Sequence, residues 1–166
     1  MRSRRLPPQP WKGWNCTWGH STSIICAICT ECCSVRSMTG RGELRHVDIA
    51  KGTTRFCTST RIRPEAIALL AQIDRETLEQ PAHERVVERV ADLYAELNMV
   101  HPFREGNGRT QRLFFEQWLL TRGYAVDWQR VESAEWMEAC IRAVHCDYAR
   151  LAAIFSRCIQ GLGDSR

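Results

Sequence analysis

Apolar residues recur every three or four positions at Val86, Val87, Val90, Leu93, Tyr94, Leu97 and Val100, the spacing that gives a helix one apolar face. That helix is predicted to stop at His101, because Pro102 has no N–H and disfavours helical geometry in the residue before it. His101 is thereby placed at a helix C-terminal end, with its imidazole free to point away. A second helix is predicted from near Asn107 through Leu113, Phe114, Trp118 and Leu119 to Gly123, a residue type that tolerates the left-handed end of a helix. Pro64 is placed to open a third, whose Ile67, Leu70 and Ile73 face inward, and Ser133 and Asp147 are natural N-caps for two more. Trp118, Trp128, Trp136, Tyr148 and Phe155, large aromatics at helical spacing, are assigned to the core. Between Gly42 and Cys57 the pattern becomes alternating. Arg45, Val47 and Ile49 stand against His46 and Asp48, and Lys51-Gly52 supplies a turn before a Thr-rich second strand, which predicts a β-hairpin.

The first forty residues keep neither period. They hold five of the nine cysteines, three of the six tryptophans and only Glu31 as an acid. This contrast sets residues 1–41 apart as an atypical Cys-rich segment, either disordered or translated out of frame, from a domain over 42–162 and a short tail over 163–166. Cys26, Cys29 and Cys32 have thiolate-ligand spacing, with Cys16, His20 and Cys33 nearby, so a metal-binding module is a further reading of this segment. The pattern lacks the second ligand pair of zinc folds.

A net charge of +4 suits an anionic ligand but is too modest and too scattered for nucleic-acid binding. No apolar run approaches membrane-spanning length, and an odd number of cysteines scattered over helices suits a reducing cytoplasm.

The chemistry concentrates in His101 to Arg112, HPFREGNGRTQR. The loop delivers Gly106, Asn107 and Gly108 to a helix N-terminus, where backbone N–H groups lack partners and the helix dipole is positive. Glycines let phosphate oxygens approach the backbone, and Arg109 and Arg112, three apart, offer two guanidinium forks on one face. Glu105 would repel phosphates unless a cation lay between them, so a magnesium ion bridging both is expected. His101 titrates near neutral pH and can take a proton from an attacking hydroxyl.

These residues resemble the Fic-domain signature HxFx(D/E)GNGRxxR at all eight specified positions. The resemblance implies a mainly α fold, a Fic-type helical core with a β-hairpin flap over the active-site loop, with an atypical N-terminal region. It implies a protein adenylyltransferase that moves AMP from Mg-ATP to a hydroxyl side chain of a target protein and releases pyrophosphate. His101 would be the general base and Glu105 the magnesium ligand. Asn107 would contact the α-phosphate, Gly106 and Gly108 would shape the anion hole, and Arg109 and Arg112 would hold the outer phosphates. Phe103 matches the buried anchor of the loop. The hairpin matches the flap, whose Lys51, Gly52, Thr53, Thr54 and Arg55 would dock the target by strand addition.

Many members of this family are inhibited by a helix bearing (S/T)xxxE(G/N), whose Glu pairs with the second motif arginine. The nearest segment here, Ser156 to Gly161, carries Gln160 in place of that Glu. The resemblance therefore implies the toxin of a toxin–antitoxin pair, with a small antitoxin supplying the Glu in trans and a type II topoisomerase subunit as target. A second reading stays open: an N-terminally altered, inactive Fic remnant that binds nucleotide or antitoxin without catalysis.

Overall fold

The computed structural model describes residues 43–76, 78 and 83–162. Residues 1–42, which include the Cys26, Cys29 and Cys32 spacing, and 163–166 lie outside them.

The strongest apolar period makes the longest element. Helix α2, His83–Val100, buries Val86, Val87, Val90, Ala91, Leu93, Tyr94, Ala95, Leu97 and Val100. Because that apolar set wraps well beyond a single stripe, α2 is the central helix, packed on by all the others. These are α1 (Ile62–Arg75), α3 (Asn107–Leu120), α4 (Ser133–Ala143) and α5 (Ala149–Cys158). An aromatic cluster fills the space between α2 and α3 to α5. Tyr94 lies 5.1 Å from both Phe115 and Trp136, and Phe155 stands edge-on to Trp136 and Trp128. Trp118 donates its indole N–H to the Ile73 carbonyl at 3.2 Å, while Arg122 stacks 4.5 Å from the Trp118 ring and bonds the Glu76 carbonyl. This joins the ends of α1 and α3.

Several local expectations need correction. Helix α1 buries Ile62, Ala66, Leu69, Leu70 and Ile73, and Ile67 is 42% exposed. A stripe read from Ile67 is rotated off the true face, because Ala66 and Leu69 turn toward α2. Ser133 is the first residue of α4 and Glu132 occupies its N-cap, with no side-chain bond there. Asp147 sits one residue before the N-cap of α5 yet still accepts from the Ala149 N–H at 3.3 Å.

The hairpin is much shorter than the alternation suggests. Only β1 (Ala50–Lys51) and β2 (Thr54–Arg55) pair, antiparallel, with Ala50 opposite Arg55 and Lys51 opposite Thr54. The turn is Gly52-Thr53 rather than Lys51-Gly52, with Gly52 at φ +59°. Residues 43–49 bend around the end of α2 instead of forming a strand, because Arg45 is buried there and not displayed on a pleat. A second ladder was not anticipated: β3 (Tyr124–Val126) pairs antiparallel with β4 (Ile159–Gly161). Among the described residues no helix is long and apolar enough to cross a membrane.

Candidate active site

The site is built where α2 ends and α3 begins. His101 follows the last residue of α2 and takes φ +44°, a left-handed conformation that costs a non-glycine residue on the order of 1–2 kcal/mol. Its N–H still donates to the Leu97 carbonyl at 3.2 Å. The ring is held on two sides. Nδ1 lies 3.1 Å from the Asn98 carbonyl, and since a carbonyl can only accept, Nδ1 carries the proton and Nε2 keeps a lone pair. Phe56, just after β2, stacks on the imidazole with centroids 3.9 Å apart and planes 18° from parallel. Burial pushes the His101 pKa below the usual imidazole value. The Asn98 bond and Glu105 oppose that shift, whereas the charges of Arg45 and Lys51 reinforce it. The arrangement yields a neutral imidazole with a free Nε2, which can accept a proton.

The loop after it closes on itself. Phe103 is buried, and its backbone N–H and carbonyl are both bonded by the Asn107 side chain, at 2.9 and 2.7 Å. Asn107 is thus committed to the shape of the loop through its amide, leaving its backbone N–H at the start of α3 for other work. Gly106 is the N-cap of α3 at φ +81°, a conformation that favours glycine. Its carbonyl accepts from Arg109 N, Thr110 N and Thr110 Oγ1. Helix geometry then leaves the N–H groups of Asn107 and Gly108 without intrahelical acceptors.

Gly108 is informative for a different reason. It is not in the left-handed region, and among the described residues a Cβ built on it would meet nothing within 4 Å. Neither its backbone nor the packing of the described residues requires glycine here. A helical Cβ tilts toward the N-terminus, so a methyl would stand in front of the free N–H groups, where a phosphate would lie. The residues present therefore fit an anionic ligand at this end of α3.

Charged groups around this end are uncommitted. Arg109 and Glu105 are exposed and Arg112 is half-buried, and none of the three makes a side-chain hydrogen bond or ion pair among the described residues. Arg112 and Lys51 both act on Cys140 of α4, whose thiol burial pushes up to about 11 while these two cations oppose the rise. No cluster of three or more His, Cys, Asp or Glu side chains occurs among the described residues. A divalent cation here would thus be held by Glu105 together with ligand oxygens and water.

Of the flap residues, Lys51 reaches toward α4, with Nζ 3.8 Å from Met137 Sδ, and its charge is felt at His101. Gly52 and Thr53 form the exposed tip, and Thr54 and Arg55 form β2, each strand keeping one unpaired edge. The hairpin is brought to the loop chiefly by Phe56 and by the Cys57 N–H, which donates to the Met99 carbonyl at 3.0 Å. Phe56 and Arg45 escaped the sequence reading. A charged residue in register with Val47 and Ile49 was the one signal available for Arg45.

The Ser156–Gly161 segment, where Gln160 stands in place of the inhibitory Glu, begins as the last turn of α5, which ends at Cys158. Ile159 to Gly161 is strand β4, with Gln160 opposite Ala125, and the Gln160 amide oxygen is positioned to accept from Arg130.

A helical core with a glycine- and arginine-bearing loop between its central helix and the next, overhung by a short hairpin, defines the class. The chain belongs to the Fic/DOC family, whose model matches residues 21–119. That match reaches back past Gly42 into the compositionally distinct segment. The chain is 44% identical over 119 residues to the probable protein adenylyltransferase Fic of Salmonella typhimurium, covering 71% of this chain and 60% of that protein. It is 37% identical over 117 residues to the protein adenylyltransferase VbhT of Bartonella schoenbuchensis, covering 70% of this chain and 24% of that one. The chain thus spans about three fifths of the Salmonella relative and a smaller part of VbhT. In fold it is similar to the BepC protein of Bartonella tribocorum with bound AMPPNP, with a TM-score of 0.78 at 20% identity, over 85% of this chain and 75% of that one.

Proposed function

We propose that this protein is an adenylyltransferase that moves AMP from ATP to a hydroxyl side chain of a target protein. The observation that carries the reading is Gly108, whose missing side chain no contact among the described residues requires, set in an open cationic helix end seven residues from a neutral imidazole. In the proposed reaction His101 Nε2 takes the proton of the target hydroxyl, and that oxygen bonds to the α-phosphorus. The bond from the α-phosphorus to the bridging oxygen breaks, and pyrophosphate leaves with the electron pair. The N–H groups of Asn107 and Gly108 receive phosphate oxygens, and Arg109 and Arg112 hold the outer phosphates. Glu105 would hold magnesium, which when bound offsets the charge of the leaving phosphates. The names of the relatives at 44% and 37% identity support this reading, as does the nucleotide analogue in the BepC structure.

The flap reading is that Lys51 to Arg55 pair backbone to backbone with an extended target segment, using a free edge of the hairpin. We further propose a toxin role in the cytoplasm. In this reading a separate antitoxin chain would supply an inhibitory Glu to Arg112, which has no acidic partner among the described residues. A type II topoisomerase subunit is the proposed target.

The test is incubation of the purified chain with α-labelled ATP, magnesium, bacterial lysate and added topoisomerase, beside His101→Ala. Label on a protein band from the unsubstituted chain alone supports the reading. A folded chain that labels nothing supports the second reading, a nucleotide- or antitoxin-binding remnant without catalysis.

A further inference from the structure

Arg45 lies eleven residues before Phe56 and outside the signature loop, yet it is only 2% exposed. Burying a guanidinium costs several kcal/mol unless its donors are satisfied, so the identity of its partners matters. All of them are backbone carbonyls, drawn from two separate places. Nη1 donates to the Val47 carbonyl at 2.7 Å, and Nη2 donates to the Cys57 carbonyl. Nε donates to the His101 carbonyl at 2.9 Å, and Nη2 also lies 3.4 Å from the Val100 carbonyl. In addition, the Arg45 backbone N–H donates to the Pro102 carbonyl at 2.9 Å. Val47 and Cys57 flank the hairpin. Val100, His101 and Pro102 are the end of α2 and the start of the loop.

We infer that Arg45 is a positioning residue for the His101 base: its planar fork locks the left-handed backbone at His101 and ties that backbone to the root of the flap. The inference rests on the adenylyl-transfer reading for its kinetic consequence only. A residue at φ +44° persists where its surroundings over-determine it, and here five bonds fix the three consecutive carbonyls and the hairpin root together. The guanidinium also places a positive charge at the C-terminal end of α2, the end where the helix dipole is negative. Lysine cannot substitute, because its three donors leave one nitrogen and cannot span both segments in a plane. The base and the target clamp consequently move as one body.

The groups facing His101 are the Arg45 cation, Lys51 from β1, Glu105 from the loop, the Asn98 carbonyl from α2 and the apolar Phe56 ring. The test compares Arg45→Lys and Arg45→Met with the unsubstituted chain in four readouts: kcat, ATP affinity, Tm and the His101 ring titration followed by NMR. A positioning role predicts a kcat reduced about 10²-fold in both, the loss expected of a base displaced by about 1 Å, with ATP affinity unchanged because Arg109 and Arg112 are untouched. It also predicts a His101 pKa that rises in Arg45→Met, where a nearby cation is lost. Wild-type kcat in folded Arg45→Lys overturns the inference, and so does kcat falling only in step with ATP affinity. If Arg45→Met does not fold, Arg45→Lys decides. Should the unsubstituted chain transfer no label, the adenylyl-transfer reading fails, and NMR still decides the inference. An unchanged His101 ring environment and pKa in a folded Arg45 variant then overturns it.

Discussion

The end of α2 and the beginning of α3 are separated by six residues and are built on opposite plans. At the first, every group but Nε2 is tied: His101 has its N–H, carbonyl, Nδ1 and ring face each engaged by a named partner. At the second, two backbone N–H groups lack intrahelical acceptors, a glycine leaves open space, and two arginines and a glutamate are uncommitted among the described residues. A proton acceptor must be aimed, which bonds do, and kept neutral, which burial does. An anion cup must offer donors, which requires that the protein not use them itself. The two halves of the site therefore separate into one that the fold fixes and one that the fold exposes.

Substitutions can pull the halves apart. His101→Ala should have the largest effect, lowering the rate of label transfer about 10²- to 10⁴-fold while leaving ATP affinity near its original value, read by isothermal titration. Comparable weakening of both would show the halves to be one. Arg112→Ala should act on the other side, raising the ATP concentration for half-maximal rate about 10- to 100-fold through loss of a charged hydrogen bond worth about 1.5–3 kcal/mol. Little change in that concentration would remove Arg112 from the cup.

Gly108→Ala separates ligand from fold by sign. A helical alanine should stabilise the chain by about 0.5–1 kcal/mol, seen as a higher Tm, while the added methyl weakens ATP binding. A variant that is more stable and binds ATP normally would sink the assignment of that space to phosphate.

The smallest effects are in pH. Burial holds the His101 pKa below the ordinary imidazole value, so activity should persist below pH 6.5 before its acid limb appears. Phe56→Ala, which uncovers one ring face, should move that limb toward higher pH. The sign for stability follows from the same shift. Between the ordinary value and the lowered one the unfolded chain binds more protons at this position, so stability falls as pH drops through that window. His101→Ala should flatten this part of a Tm-against-pH curve, and an identical slope in both chains would count against the buried neutral ring.

The loop between α2 and α3 was legible because its determinants are local. Pro102 follows the end of α2 and Gly106, at φ +81°, opens α3, each through the dihedral preference of a single residue, whereas α3 ends at Leu120, three residues before the predicted Gly123. The central helix was legible for the same reason, since its apolar period is read within a few turns. Ile67 misled because one apolar residue beside Ala66 does not reveal which face meets α2. The hairpin misled more seriously, for alternation cannot distinguish a residue displayed on a pleat from one drawn into the interior. Arg45 fits the alternation at 45, 47 and 49, and its partners at Val100 and His101 lie 55 and 56 positions away.

By itself, then, the sequence determined the helices, the stop of the central one before Pro102, and the chemical types collected between His101 and Arg112. Only the tertiary structure decided that the imidazole is buried, which of its nitrogens is free, and that an arginine from the flap root fastens it. Short-range order is set by dihedral preferences and periodicity, which each residue carries with it. Burial and the partners of a buried charge depend on which distant segments meet, and that is settled only when the whole core closes.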